Sequence, residues 1–210
     1  LVKKMVACET IGCINVICSH KTGTLTENRM TVTDIWSQGA FKEVQDFKDP
    51  VMLTNFCLNS TADLYEEGNL VRFVGNPTEG ALLVAAEKAG TYYKNMRESA
   101  EISDLFPFSS DTKNMTSCVK NGAGYTIYTK GSPEKILALC DVAEPERLKI
   151  EEAIVGLQKR ARRVLAFAHK DTGVRPLSRE DAESGMKFDG FVGIADPLRA
   201  EVKDAVHACK

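Results

Sequence analysis

The chain has 210 residues, of which 43% are hydrophobic and 27% are charged, and its formal net charge at pH 7 is −2. The length and composition are typical of one large globular domain, or of one and a half. The near-neutral charge argues against a nucleic-acid partner, and the longest apolar run, residues 81–86, is far shorter than the ~20 residues of a membrane span.

Seven cysteines are scattered along the chain, and this odd number argues against a disulfide framework and for a reducing, cytosolic setting. A zinc site at Cys8, Cys13, Cys18 and His20 is an alternative, but the spacing lacks the usual C-x2-C pair. Packing in the interior is therefore the favoured interpretation. The start of the chain has neither a signal peptide nor an initiator Met, which suggests a segment of a larger protein.

The first half of the chain alternates between apolar segments and polar loops. A buried strand is predicted at residues 14–18 and a second strand at residues 30–36. A helix is predicted over residues 49–60. Residues 76–79 form a strong helix start, with an N-cap, a proline in the first turn and the acid of a capping box at the end. This helix is predicted to stop at Gly90.

The second half is predicted to be richer in strands. Asn121-Gly122 is a hairpin turn signal between two of them, and Ser132-Pro133 opens a helix. The predicted strands are residues 101–106, 113–120, 124–130, 164–169 and 188–195, and the predicted helices are residues 133–140, residues 145–162 and a last helix from about residue 200.

The order of these elements predicts two domains. The strands at residues 14–18 and 188–195 end in polar loops, which is typical of units of a parallel α/β sheet. A hairpin-rich α+β segment lies between them. We therefore expect a compact α+β domain inserted into an α/β domain, of which only the flanks are present.

The loop after the first strand, Ser19-His20-Lys21-Thr22-Gly23-Thr24, combines a lysine, a glycine and hydroxyl groups, and is suited to hold an anion. Apart from His20, residues 18–32 resemble the phosphorylation loop of P-type cation-transporting ATPases, whose signature is C-S-D-K-T-G-T-L-T. Residues 7–12 look most like the calcium-pump branch. Six further segments match the family's nucleotide-domain motifs in the same order: Thr78-Glu79, Phe108-Ser109, Lys113-x-Met115 and residues 130–134, 163–166 and 196–199.

The resemblance implies an α+β nucleotide-binding domain with an antiparallel sheet and flanking helices, at residues 33–188. This domain would be inserted into a partial α/β haloacid-dehalogenase-like phosphorylation domain, with flanks at residues 1–32 and 189–210. The parent would be an integral membrane protein that couples ATP hydrolysis, through an aspartyl phosphate, to the transport of a cation, with calcium favoured. The partners of this cytosolic part would be ATP and the remainder of the same pump, namely its phosphorylation, actuator and membrane domains. Mg²⁺ would be a further cofactor in the intact enzyme.

His20 stands where the family has the phosphorylated aspartate. That carboxylate is both the nucleophile and a hard oxygen ligand to Mg²⁺, whereas an imidazole is a poor Mg²⁺ ligand. By the resemblance, Lys21 offsets phosphate charge, and Thr22 donates to the phosphate and binds Mg²⁺ through its backbone in the intact enzyme. We therefore expect no acyl phosphate at residue 20, and a phosphohistidine is disfavoured.

Two further features bear on turnover. The chain has no G-D-G-x-N-D or T-G-D segment, so the fragment is expected not to turn over even with an aspartate at residue 20. Thr22 occupies the place of a second acid in related phosphatases, which argues against the alternative of a haloacid-dehalogenase-type phosphohydrolase because a general base is missing.

The resemblance also implies nucleotide contacts in the α+β domain. Phe108 would stack on adenine, although it could be a core residue, and Glu79 would accept the adenine amino group, although the capping box alone could explain it. Lys113 would lie near the phosphates or the adenine, unless it is simply solvated. Lys130 and Gly131 precede a helix N-terminus, which is a favourable place for a nucleotide.

Three other positions complete the implied site. Arg163 matches the arginine that reaches the ATP phosphates. Asp196 and Arg199 belong to the hinge and would contact the ribose or the other domain, although Asp196 could simply start a turn. Ser110 replaces an arginine that many calcium pumps carry, which suggests weaker binding. Two alternatives of other classes remain: a non-catalytic nucleotide-sensing module and a structural domain that no longer binds ATP.

Overall fold

The computed structural model describes residues 14–68 and 70–209, without the side chains of Thr22 and Leu70, and these residues form two compact units. The larger unit is Met30–Ala195, and the smaller unit contains the described residues up to Arg29 and from Asp196 onward. Among the described residues, no helix combines the length and apolar character needed to cross a bilayer. Cys8, Cys13 and residues 7–12 lie outside the described residues.

Nine strands form two antiparallel sheets in the larger unit. Seven of them stand in the order β2-β1-β9-β8-β7-β6-β5, and β3 pairs with β4 in a separate hairpin. The strands are β1 (Thr31–Ser37), β2 (Ala40–Lys42), β3 (Asp63–Glu67), β4 (Leu70–Val74), β5 (Ile102–Phe106), β6 (Asn114–Asn121), β7 (Gly124–Gly131), β8 (Arg163–Thr172) and β9 (Lys187–Ala195).

Helices cover both faces of the seven-stranded sheet. Phe167 of β8 packs in one core with the first three helices, whereas its neighbours Ala166 and Ala168 pack in the other core with the fourth and fifth. The helices of the larger unit are α1 (Pro50–Leu58), α2 (Pro77–Lys88), α3 (Tyr93–Ser99), α4 (Pro133–Leu139), α5 (Glu144–Lys159) and α6 (Arg179–Glu183), and the smaller unit contains α7 (Val202–Ala208).

The prediction that residues 188–195 form a unit of a parallel sheet is wrong. β9 pairs antiparallel with β1 on one side and with β8 on the other. A strand that is buried on both faces has a nearly continuous apolar sequence whatever the direction of its neighbours. β9 belongs to the sheet of the larger unit, and the domain boundaries at residues 33 and 188 stay a prediction.

The predicted strand at residues 14–18 is absent from the structure. Ile14, Val16 and Ile17 are 50%, 77% and 63% exposed, and no described strand pairs with this segment. An apolar run forms a strand only where a neighbouring strand satisfies its backbone groups. The local pattern could not reveal that no such neighbour exists among the described residues.

The other predicted helices and strands are confirmed to within a few residues, because local signals set their ends. Asp49 caps α1 by accepting from Val51 N, Asn76 caps α2 by accepting from Thr78 N, and Ser132 caps α4. Gly122, at φ +59°, lies in the predicted hairpin turn. The sequence analysis missed β2, the β3–β4 hairpin, α3 and α6, which are short elements with weak local patterns.

We predict opposite effects for the same substitution at two glycines. Gly190 has φ +153°, and an added Cβ would lie 2.2 Å from Trp36 O in β1. Backbone strain in Gly190→Ala should lower the free energy of unfolding by ~1–3 kcal/mol, and the contact with Trp36 O should lower it further. Gly156→Ala, in α5 where an added Cβ meets nothing within 4 Å, should raise it by ~0.5–1 kcal/mol. Urea unfolding measures both, and equal effects would contradict the placement of β9 against β1.

Candidate functional site

A buried ion pair joins the start of α2 to the end of β7. Glu79 Oε1 lies 2.8 Å from Lys130 Nζ, and the two side chains are 8% and 5% exposed. Two charges that leave water are tolerated only when they are paired and their remaining hydrogen-bonding groups are satisfied. The surroundings of this pair therefore decide whether it is stable.

The segment after α1 supplies the missing donors to Glu79. Its Oε2 accepts from Thr61 N at 2.8 Å and from Ala62 N at 3.2 Å, and also from the hydroxyls of Thr61 at 3.0 Å and Ser60 at 3.3 Å. The capping-box interpretation of Glu79 is wrong, because its carboxylate turns to this segment and to Lys130, and not back to Asn76. The hydrogen bonds from residues 60–62 and the ion pair with Lys130 hold the Glu79 carboxylate away from the N-cap residue of α2.

The protonation of the pair follows from these contacts. Burial acts to raise the pKa of Glu79, but the Lys130 ammonium and the hydrogen bonds from Thr61 outweigh it, so the pKa lies below its ordinary value of 4.5. Burial lowers the pKa of Lys130, and the Glu79 carboxylate opposes that change. Lys130 Nζ also donates to Asn59 O. The polar atoms of the pair are thus already engaged within the protein.

Gly131 allows the backbone of the adjacent strand to approach. A Cβ at this position would lie 2.5 Å from Lys113 O and 2.6 Å from Asn114 Cβ. Ser132 N donates to the same Lys113 carbonyl at 3.0 Å. Lys113 has φ +55° and an exposed side chain, and its backbone lies beside the start of α4. The glycine therefore brings an exposed cation close to a helix N-terminus.

Phe108 lies in the loop between β5 and β6, and its side chain is 59% exposed. The alternative that Phe108 is a core residue is therefore wrong. The loop is ordered by local hydrogen bonds: Ser109 O accepts from Lys113 N at 2.9 Å, and the Ser109 and Thr112 hydroxyls lie 2.8 Å apart. An apolar ring held in water by an ordered loop offers a face to a planar ligand.

Arg163, the first residue of β8, reaches the start of α2. Its Nη1 donates to Thr78 Oγ1 at 3.2 Å, one residue before the buried Glu79, while its side chain remains exposed. The guanidinium group keeps further donors for an anion.

Strand register brings these residues to one end of the sheet. Phe106 pairs with Thr116, and Gly131 pairs with Asn114 on one side and with Ala166 on the other. The ends of β5 and β7 and the starts of β6 and β8 therefore lie together. Six predicted site residues belong to this end: Glu79, Phe108, Lys113, Lys130, Gly131 and Arg163. An exposed aromatic ring beside two exposed cations suits a ligand with a planar base and anionic groups.

The smaller unit contains the predicted phosphorylation loop. His20 and Lys21 are exposed, and Lys21–Leu25 forms a π-helical turn that closes with Thr26 N donating to Lys21 O at 3.1 Å. Gly23 has φ +81°, a conformation that favours glycine. The side chain of Thr22 lies outside the described part of the chain.

Asp196 and Arg199 hold this loop within the smaller unit. Asp196 Oδ2 accepts from Thr26 Oγ1 at 2.5 Å, and its Oδ1 accepts from Arg29 N at 3.1 Å. Arg199 donates from Nε to Thr26 O and from Nη2 to Gly23 O, both at 3.2 Å. Both residues thus join the two chain segments of this unit, which is more than the start of a turn.

Sequence reasoning missed three residues that support the site of the larger unit. Asn59 Nδ2 donates to Met115 O at 3.0 Å and to Tyr128 O at 3.2 Å, which ties the end of α1 to β6 and β7. Arg97 donates to three carbonyls of residues 57–62, and Arg179 contacts the loop of Phe108. An asparagine at the end of a predicted helix was a usable signal for the first, whereas isolated arginines carry no local signal of their partners.

We predict that Lys130→Met lowers the free energy of unfolding by ~3–5 kcal/mol, because it leaves the Glu79 carboxylate buried without its partner. Lys120→Met is the matched control: Lys120 pairs with Glu101 at 3.0 Å, but both side chains are largely exposed, so its loss should change stability by less than ~1 kcal/mol. Chemical unfolding at pH 7 measures both. Equal small effects would show that the buried pair does not hold α2 to β7.

The buried pair of Glu79 and Lys130 also predicts how the stability of the protein depends on pH below 4.5. Since the pKa of Glu79 is lowered on folding, its contribution is complete above pH 4.5 and is lost as the pH falls through the lowered value. Glu79→Gln should therefore flatten the dependence of stability on pH below 4.5. An unchanged slope in this variant would contradict the assignment.

Comparison with known proteins identifies the family. The family described as "P-type ATPase, cytoplasmic domain N" matches residues 50–201. The whole chain is 35% identical to Cation-transporting ATPase pma1 of Synechocystis sp. and covers 27% of it. It is 32% identical to Calcium-transporting ATPase 1 of Bacillus cereus and 34% identical to Calcium-transporting ATPase PAT1 of Dictyostelium discoideum, of which it covers 25% and 20%. The chain spans about a quarter of the length of these relatives, and it belongs to the P-type ATPases, with most of its length in their cytoplasmic domain N.

Proposed function

We propose that the larger unit binds ATP at the end of the sheet where Phe108, Lys113 and Arg163 lie. The observation that carries this proposal is the exposed Phe108 ring on an ordered loop. The ring stacks on adenine, and the two exposed cations lie within reach of the phosphates. Lys130 and Gly131 shape the end of β7 beneath them.

Glu79 and Lys130 act together in this proposal. Because the Glu79 oxygens already accept from Lys130 and residues 60–62, the pair forms a preorganised floor under the adenine. A direct bond from Glu79 to the adenine amino group would have to displace one of these donors. The floor keeps the end of β7 in place, which lowers the cost of ordering the site on binding.

The parent protein, in this proposal, is a cation-transporting ATPase, and calcium is the favoured ion because two of the relatives named above are calcium-transporting ATPases. The larger unit is the nucleotide-binding domain, and the smaller unit is part of a haloacid-dehalogenase-like phosphorylation domain. The protein would be an integral membrane protein with this part in the cytosol, and its partners would be ATP and the phosphorylation, actuator and membrane domains of the same pump.

Magnesium does not fit the described residues of the smaller unit. His20 offers a nitrogen where a hard oxygen ligand is needed, and both carboxylate oxygens of Asp196 accept hydrogen bonds from the protein. A single backbone carbonyl at Thr22, the predicted Mg²⁺ ligand of the intact enzyme, is too little for a site. His20 thus favours, as a second candidate, a module that senses nucleotide without turnover.

The first experiment is an ATP titration up to ~10 mM, followed by amide chemical shifts. We predict saturable shifts near Glu79, Phe108 and Lys130, and a ~5–150-fold weaker dissociation constant for Phe108→Ala, since stacking contributes ~1–3 kcal/mol per base. Tyr92→Ala is the matched control, because this ring is 66% exposed but lies at the start of α3. No saturable shift in the unaltered chain would leave the purely structural alternative.

The second experiment tests residue 20. We predict that the chain, incubated with Mg²⁺ and γ-labelled ATP, acquires no hydroxylamine-sensitive label there, because an imidazole cannot form an acyl phosphate. His20→Asn serves as the control for background labelling. A hydroxylamine-sensitive label mapped to residue 20 would refute the prediction, and an acid-labile label that is lost in His20→Asn would indicate a phosphohistidine instead.

A further inference from the structure

Arg179 of α6 bridges the two ends of the loop that carries Phe108. Its Nη2 donates to Pro107 O at 2.6 Å, and its Nη1 donates to Asn114 Oδ1 at 3.1 Å. Pro107 and Asn114 are the residues at which the loop leaves β5 and enters β6. One planar guanidinium group therefore sets the distance between the two ends of the loop.

The Arg179 guanidinium is itself held in place by Glu183 and Phe106. Glu183 Oε1 lies 3.3 Å from Arg179 Nη1 and also accepts from Thr116 Oγ1 at 2.8 Å, and the Glu183 side chain is 6% exposed. The guanidinium carbon lies 5.6 Å from the centre of the Phe106 ring, within the range of a cation–π contact. The Arg179 side chain is 20% exposed. These contacts leave the guanidinium little freedom, so that it can act as a rigid bridge.

The loop needs such a bridge at its Pro107 end, because its other hydrogen bonds are local or lie at the Lys113 end. Ser109 bonds to Lys113 and Thr112 within the loop, while Phe108 and Lys113 project into water. The Lys113 end of the loop is also tied to the residue after β7, because Lys113 O accepts from Ser132 N at 3.0 Å. Among the described hydrogen bonds, the one from Arg179 is what fixes the Pro107 end. A loop that is free to move must be ordered when ligand binds, and this ordering weakens affinity.

We propose that Arg179 is the positioning residue for the nucleotide: by joining Pro107 to Asn114, it holds the Phe108 ring and Lys113 in the arrangement that binds ATP. This inference rests on the proposed function of the larger unit. It does not place Arg179 in contact with the ligand. Its role is to keep the Phe108–Lys113 loop ordered before binding.

Arg175, in the loop between β8 and α6, provides a matched control that contacts β5. It donates to both carboxylate oxygens of Asp104 at 2.7 Å and to Ser103 O at 3.3 Å. These contacts lie in the body of β5 and not at the ends of the loop. Arg175→Gln therefore removes an arginine with comparable hydrogen bonds and should leave the loop in place.

The test compares Arg179→Gln, Arg179→Gln/Glu183→Gln and Arg175→Gln with the unaltered chain. The double variant avoids leaving Glu183 buried without its partner. In the absence of nucleotide, amide hydrogen exchange at residues 108–113 should be faster in both Arg179 variants than in the unaltered chain. The ATP dissociation constant of these variants should rise by roughly 10-fold, because the loop must then be ordered when ATP binds. Arg175→Gln should change neither. Arg179→Lys should recover only part of the affinity, because a single ammonium cannot span both ends of the loop.

A double-mutant cycle separates positioning from general stability. If Arg179 positions the Phe108 ring and Lys113, Arg179→Gln in the Phe108→Ala background should weaken ATP binding by clearly less than the roughly 10-fold expected in the unaltered chain, because only Lys113 is then left to position. Additive effects, unchanged exchange at residues 108–113, or unchanged affinity despite a loosened loop would each overturn the inference while the proposed function stands. Absence of ATP binding by the unaltered chain would overturn both.

Discussion

The buried pair of Glu79 and Lys130 is the interaction on which the candidate site depends. It connects a helix that packs on the sheet to the strand that ends beneath the site, and it does so where neither charge is solvated. Such a pair stabilises a fold only if its surroundings complete the hydrogen bonds. The segment at residues 59–62 does this, so that the end of α1, the start of α2 and the end of β7 become one assembly.

Backbone contacts carry this assembly to the surface. Gly131 lets the start of β6 lie against the end of β7, and Lys113 is thereby placed beside the start of α4. Arg179 joins the same start of β6 to the end of β5. The exposed ring of Phe108 thus stands on a loop that is held from both ends, above a floor that is already formed. A site built in this way has little left to order when a ligand arrives.

In the smaller unit, polar side chains likewise hold a loop in place, but the residue at the centre of this loop is a histidine. Asp196 and Arg199 direct their polar groups to Gly23 and Thr26, and so hold the loop that contains His20. The loop keeps the glycine, lysine and hydroxyl residues that suit an anion, while its central side chain lacks an oxygen ligand. In the proposed function, nucleotide binding and phosphate transfer therefore make separate demands on this chain, and the set of residues proposed for the first is the more complete.

The sequence by itself determined the family, most element boundaries and the candidate residues, because caps, turns and short motifs are local. Asp49, Asn76 and Ser132 each begin a helix, because their own side chains accept hydrogen bonds from its first backbone N–H groups. Only the tertiary structure decided the antiparallel pairing of β9, the ion pair of Glu79 and the bridge formed by Arg179. Each of these joins residues that are far apart in the chain, and no local pattern of apolar and polar residues specifies which distant partner a strand, a carboxylate or a guanidinium will meet.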